Sequence, residues 1–309
     1  MQRLGRLRIS ESYPIAMIVL LSTLALVGCQ DFGLSKEQLQ HIAEIKKDVS
    51  EHPALVNELD DRGESHLHIA VINNYESLIS WLLDHGANIN VRSRSGETPL
   101  GRAMIWDRTA DVSVITMLLR SGADANSGDD YGNTPLHTAA TFAALEAMKA
   151  LLRNGASPNA RARRGETPLH YAAREPFDPA KDHRGAARLL IDAGAEINSQ
   201  DTNGATPLHG AAMAENAEMA AFLLSDGASP NPENNAGMTP LHVAAIFGQS
   251  AVGEVLLAKG ANVNHRDKRG RTPLHAALHE PAIHYEQNQK SQVDTREVMD
   301  LLKRHGAVE

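Results

Sequence analysis

Histidine is the side chain that most invites a chemical reading of this chain. Fifteen occur among 309 residues, against a single cysteine, Cys29. Imidazole can ligate a metal, move a proton or carry hydrogen bonds. Six of the fifteen close one short motif that returns along the sequence. It runs Ser65-His66-Leu67-His68, Thr98-Pro99-Leu100-Gly101, Thr134-Pro135-Leu136-His137, Thr167-Pro168-Leu169-His170, Thr206-Pro207-Leu208-His209, Thr239-Pro240-Leu241-His242 and Thr272-Pro273-Leu274-His275. Its first residues are separated by 33, 36, 33, 39, 33 and 33 positions. Units repeating at such an interval stack, so equivalent residues of neighbours stand about 8–10 Å apart. Zinc needs its nitrogens at about 2.0–2.1 Å. Successive motif histidines therefore cannot share an ion, and the plainer reading is that each bonds turn backbone.

Other chemistry finds less support. His279-Glu280-Pro281-Ala282-Ile283-His284 is a near miss for a zinc protease. That site needs two His at i and i+4 on a continuous helix, whereas here the spacing is i and i+5 with Pro281 between. His279, His284 and His305 are a scattered set that could take up a metal opportunistically. No Gly-x-Ser-x-Gly elbow, phosphate loop or dinucleotide fingerprint occurs. The chain reads as non-catalytic, with no cofactor, no metal and no small-molecule substrate expected.

The elements around the motif follow from its residues. Thr at the N-cap and Pro at the first helical position start a helix: the hydroxyl caps a free N–H, and Pro has none to leave unsatisfied. Leu and the small residues after it share one face and let helices approach closely. A Leu pair preceded by Val or Met marks a second apolar helix. Gly86, Gly122, Gly155, Gly194, Gly227, Gly260 and Gly306 follow these pairs, where a helix end takes a left-handed residue. An Asn-rich segment and another Gly, such as Gly132 or Gly204, complete the unit with turn chemistry. Neither helix can bury its stripe alone, and stacking makes the core continuous.

Repeat six shows the whole pattern: Gly237-Met238-Thr239-Pro240-Leu241-His242-Val243-Ala244-Ala245, then Val255-Leu256-Leu257, then Gly260-Ala261-Asn262-Val263-Asn264. This closely resembles the ankyrin repeat, and the resemblance covers residues 60–309 as seven repeats. It implies an all-α solenoid of helix-turn-helix units with β-turn fingers, whose work is binding other proteins. A helical cap is expected over residues 36–59. There Ser35 and Gln38 form a capping box for a helix carrying Leu39, Ile42 and Ile45, and Pro53 starts a second helix through Leu59. A last helix with Val298, Leu301 and Leu302 is expected to cap the other end. Lys303, Arg304 and His305 there suit the helix dipole.

The N-terminus reads as an address. Arg3, Arg6 and Arg8 precede an apolar run from Ile15 to Gly28. That is a signal-peptide layout, and its 14 residues fall short of the roughly 20 needed to span a bilayer. Leu26-Val27-Gly28-Cys29 resembles the bacterial lipobox, which implies cleavage of residues 1–28 and lipidation of Cys29. An ordinary signal peptide with an incidental cysteine is the plainer alternative. Residues 29–35 then form a lipidated tether, and residues 30–34 reach roughly 17 Å at about 3.5 Å each. Resemblance to enterobacterial lipoproteins, with Gln30 after the Cys, favours the outer membrane and a domain facing the periplasm. No cysteine then remains for disulfides. Residues 1–28 hold three Arg and one Glu, so the rest has 27 basic and 37 acidic residues, a net −10. An acidic chain of this kind is not expected to bind nucleic acid or broadly adhere to anionic lipid.

Contact residues of ankyrin stacks tend to sit at turn tips and on the exposed face of the first helix. Mapped here, those helix positions are Ile72, Ile105 with Trp106, Thr141 with Phe142, Met213, and Ile246 with Phe247. Trp106, Phe142, Met213 and Phe247 thus form a candidate contact stripe, unless they only fill gaps between helices. The tips of repeats two, four and seven are basic: Arg92 and Arg94; Arg161, Arg163 and Arg164; Arg266, Lys268, Arg269 and Arg271. Arg163 and Arg164 are candidate contacts for an acidic partner, the alternative being solvated charge. The same repeats carry insertions between their helices, and that of repeat four, Glu175-Pro176-Phe177-Asp178-Pro179, makes Phe177 a further candidate. The stretch from Glu286 to Asp294 is polar and is expected to be mobile. The expected function is capture of a periplasmic or envelope protein beside a membrane. A narrower alternative is an immunity protein that neutralises a periplasm-targeted toxin or lipase.

Overall fold

The computed structural model describes residues 34–104, 112–175, 180–286 and 289–309. The expected signal segment, Cys29 and most of the tether lie outside the described residues, as do Ile105, Trp106 and Phe177.

Helix α1, Lys36–Glu51, opens on the expected capping box. The Ser35 hydroxyl accepts from the Gln38 N–H and the Gln38 side chain accepts from the Ser35 N–H. It buries Ile42, Ile45 and Val49, leaving Leu39 half-buried. Pro53 starts a single 3₁₀ turn, Pro53–Asn57, rather than a helix reaching Leu59, which is exposed.

Seven helical pairs follow. The first helices are α2 (His66–Ile72), α4 (Pro99–Arg102), α6 (Pro135–Thr141), α8 (Pro168–Arg174), α10 (Pro207–Met213), α12 (Pro240–Ile246) and α14 (Pro273–His279). Their partners are α3 (Glu76–Asp84), α5 (Val112–Arg120), α7 (Leu145–Arg153), α9 (His183–Asp192), α11 (Ala217–Ser225), α13 (Ser250–Ala258) and α15 (Arg296–Arg304). First helices pack side by side along the stack, and second helices form a row behind them. The motif leucines Leu67, Leu100, Leu136, Leu169, Leu208 and Leu241 are fully buried between the rows. Alanine pairs such as Ala139-Ala140 and Ala244-Ala245 are buried beside them, where a larger side chain would push the helices apart.

Two turns explain the glycine pattern. Each second helix ends on a glycine with φ between 81° and 100°, a left-handed cap that costs other residues about 1–2 kcal/mol. In repeats one, three, five and six the turn between paired helices also takes a positive φ. Gly248 supplies it in repeat six, while Asn74, Ala143 and Glu215 are held there against their preference.

Among the described residues the fold is helical with one departure. Ile283–Glu286 pairs antiparallel with Gln289–Gln292, so part of the segment expected to be mobile forms a two-stranded hairpin inside repeat seven. Alternation of apolar and polar residues is too brief there to mark a strand. Among the described residues no helix is long and apolar enough to cross a membrane.

Candidate protein-binding surface

The motif histidines are struts. In repeats one, three, four, five and six the Nδ1 atom accepts the backbone N–H of its own Ser or Thr at 3.1–3.2 Å. That bond leaves the ring proton on Nε2. From Nε2 the imidazole donates to a carbonyl of the next repeat at 3.0–3.1 Å: His68 to Glu97, His137 to Glu166, His170 to Ala205, His209 to Met238 and His242 to Arg271. Burial lowers the pKa of all five by penalising the cation, and takes His137 down to about 4. Each ring is thus a neutral tie between repeats: it bonds backbone, as expected, and also crosses to the next unit, which the motif alone did not indicate.

Repeat two lacks this tie because Gly101 replaces His. Arg102 bonds backwards instead, to Glu64 of repeat one at 2.7 Å and to Glu97 at 3.1 Å. Burial raises the pKa of Glu64, and the Arg102 charge opposes that rise.

Two further ladders run along the stack. Asn57, Asn126, Asn159, Asn231 and Asn264 each donate to the carbonyl of the next capping glycine at 2.9–3.1 Å. Each also accepts a backbone N–H two residues beyond that glycine at 2.6–2.8 Å. At the finger tips, the N–H of Asp130, Arg163, Thr202, Asn235 and Lys268 donates to the preceding finger's Ser95, Tyr131, Arg164, Asn203 and Ala236 carbonyls. Arg94 reaches Gly63 in the same way. Within most fingers an Asp or Asn accepts two backbone N–H groups, as Asp129 does from Tyr131 and Asn133 at 2.8 Å. Repeat four has Ala162 at that position.

With the fingers held in register, their tips form a continuous surface. Most basic tip residues are spent inside it. Arg92 reaches Gly128 and Asp130; Arg94 reaches Asp61; Arg161 reaches Gly165 and Gln200; Arg271 holds Asp267 and Glu280. Burial disfavours the Asp267 carboxylate, yet its bonds from Arg271 and Arg269 hold its pKa below the ordinary value. Arg163 and Arg164 differ: both are exposed, and among the described residues neither side chain has a partner. Beside them stands Tyr131, 64% exposed and the most open large apolar side chain described. The Arg163 N–H donates to the Tyr131 carbonyl at 2.7 Å, so the finger tips that carry the ring and the guanidinium groups adjoin. Sequence mapping missed Tyr131. The available signal was an aromatic at the tip position held elsewhere by Arg62, Ser95, Arg164, Asn203, Ala236 and Arg269.

The first-helix stripe is only partly open. Ile72 and Phe142 are 37% exposed and Met213 is 41% exposed, whereas Ile246 and Phe247 are half-buried. Lys181 stands over the Phe142 ring at 5.5 Å. In repeat four Arg174 stands at the position of Thr141, Met213 and Ile246, bonded to Glu166 at 2.6 Å and covering Tyr171 at 5.0 Å. The apolar stripe is therefore interrupted by charge between Phe142 and Met213.

Two rows of short helices, fingers tied edge to edge and an open tip surface define a helical-repeat solenoid. The family model described as ankyrin repeats (3 copies) matches residues 35–127, 108–201, 179–267 and 234–286, so the chain belongs to the ankyrin-repeat family. The solved ankyrin repeat domain of Bcl-3, described as a unique member of the IkappaB protein family, is similar to it. Identity is 25%, the TM-score 0.61, and the match covers 79% of this chain and 100% of that one. A putative ankyrin repeat protein of fowlpox virus is 41% identical over 81 residues, covering 25% of this chain and 23% of its own length. The NF-kappa-B p105 subunit of Gallus gallus is 32% identical over 133 residues, covering 37% of this chain and 13% of its own. The chain thus spans less than a quarter of these curated relatives.

Proposed function

We propose that this protein is a lipid-anchored ankyrin scaffold that captures one protein partner at a bacterial membrane, in the periplasm, without catalysis. The observation that carries the binding role is the finger-tip patch of Tyr131, Arg163 and Arg164. An exposed ring and two unpartnered guanidinium groups on adjoining finger tips have the composition of an interface hot spot. Its charge suits an acidic region on the partner and would speed encounter more than it tightens the complex. Phe142 and Met213 extend the contact over the ends of the first helices. Anchoring rests on the basic, apolar and Cys29 layout of the N-terminus, and outer-membrane residence rests on Gln30.

The test uses the full chain. Bait carrying Tyr131→Ala, Arg163→Ala and Arg164→Ala is compared with wild type for capture from envelope extract. Affinity for whatever wild type captures is then measured. Loss of roughly 2 kcal/mol or more, about thirtyfold, is expected for a hot-spot patch; unchanged affinity refutes the mapping. Cys29→Ala or globomycin should release the protein from membranes, and unaltered partitioning refutes the anchor. A captured partner that proves to be a secreted toxin or lipase narrows the role to immunity.

A further inference from the structure

The motif histidine of repeat seven has a different task from its five counterparts. Their Nδ1 and Nε2 atoms are both occupied, by the cap and by the next repeat. At His275 the partners change. The Thr272 hydroxyl donates to the Val308 carbonyl at 2.7 Å, and the His275 backbone N–H donates to that hydroxyl at 3.2 Å. Among the described residues the His275 ring makes no hydrogen bond. It lies instead against His279, with ring centroids 4.5 Å apart. His279 Nε2 is in turn 3.1 Å from Glu309 Oε1.

These three side chains converge. One ligand atom from each of His275, His279 and Glu309 lies within 4.8 Å of the other two. The two histidines sit at i and i+4 on α14, the spacing that puts two imidazoles on one helix face. The His279–His284 pair considered from sequence lacks that spacing. Two imidazole nitrogens and one carboxylate oxygen make a donor set suited to a borderline divalent ion such as Zn²⁺. Tetrahedral binding at about 2.0–2.2 Å per ligand puts donor atoms about 3.3 Å apart. The His279–Glu309 pair already meets that spacing. The rest closes by side-chain rotation, because His279 and Glu309 are exposed and His275 is half-buried. The nearby Glu280 carboxylate is held by Arg269 and Arg271, which leaves Glu309 as the carboxylate facing the histidines.

We propose that His275, His279 and Glu309 form a binding site for a late-transition divalent ion, best fitted by Zn²⁺, with a fourth position left to water. Bound there, the ion clips the segment after α15 onto α14 and tightens repeat seven. The experiment is calorimetric titration of the EDTA-stripped full chain with ZnCl₂, alongside Co²⁺ absorption spectra. A one-to-one isotherm and visible Co²⁺ bands are expected for wild type. His275→Ala and His279→Ala should each weaken Zn²⁺ binding by at least about tenfold and abolish the Co²⁺ bands. Glu309→Gln should weaken binding less, and His52→Ala, at the far end of the stack, should leave it unchanged. Far-UV circular dichroism checks that each variant keeps its helices, and His279→Gln serves as the second variant if His279→Ala does not. Absence of stoichiometric binding, or binding that survives in both folded histidine variants, overturns the assignment.

Discussion

Acid should loosen the stack before its carboxylates are protonated, and His137 sets the scale. Its ring is fully buried, accepts the Thr134 N–H and donates to the Glu166 carbonyl. A second ring proton, on Nδ1, would displace the bond from the Thr134 N–H. Burial first of all holds the folded pKa at about 4, against 6.5 for an ordinary histidine. The folded state then binds fewer protons than the unfolded one, so stability rises with pH across this interval. The contribution is fully present above pH 6.5 and is lost as pH falls toward 4. A gap of about 2.5 units, at 1.36 kcal/mol each, corresponds to about 3 kcal/mol, of which about 2 kcal/mol is gone by pH 5. His68, His170, His209 and His242 are shifted the same way and add to the loss. Denaturant unfolding at pH 7.5, 6.0 and 5.0 measures it, with NMR titration of the ring protons assigning it. Stability that stays flat from pH 7.5 to 5, or a His137 ring that titrates near 6.5, refutes the strut.

Three substitutions probe the backbone. At Gly237 φ is +77° and an added Cβ would stand 2.7 Å from the Lys268 nitrogen, so Gly237→Ala should cost about 2–4 kcal/mol in denaturant unfolding. Glu215 is exposed with φ of 59° at the position Gly248 fills in repeat six, so Glu215→Gly should raise stability by about 0.5–1 kcal/mol, read as a higher melting temperature. Ala162 stands where Asp129, Asp201 and Asp267 accept two backbone N–H groups, so Ala162→Asp should add about 0.5–1 kcal/mol, and a lower melting temperature would contradict the finger account.

Much of this architecture was legible because each unit carries its own local signals. Thr-Pro starts, Leu stripes and capping glycines act within a few residues, and the structure places them at helix starts, in the core and at positive φ. The destinations of polar side chains were less legible. Asn126 bonds Gly155, 29 residues away, and Arg161 bonds Gln200, 39 residues away. A turn-forming Asn and a solvated Arg look the same in one dimension as these ties. Basic tips therefore read as one kind of surface, although Arg92, Arg161 and Arg271 are committed to neighbours and Arg163 and Arg164 are not. Tyr131 lies off the helix ends and carries no charge, and its exposure depends on where the finger points. The free ring of His275 was hidden by its motif, which matches those whose rings are tied.

A rod built of like units flexes at its slackest joint. Among the described residues, the junction after repeat two has no imidazole crossing it, since Gly101 offers none. Asn90 contributes a bond from the Asp124 N–H there, and the finger bond from Asp130 to Ser95 is, at 3.2 Å, the longest of its ladder. What reinforces that junction is the exposed Arg92 guanidinium, reaching Gly128 and Asp130. Dissolved ions screen such a contact. Ionic strength should therefore act as a dial on curvature at this one point, swinging an arm of two repeats against the five-repeat block that bears Tyr131, Arg163 and Arg164. Amide exchange would register the joint as the earliest place to open.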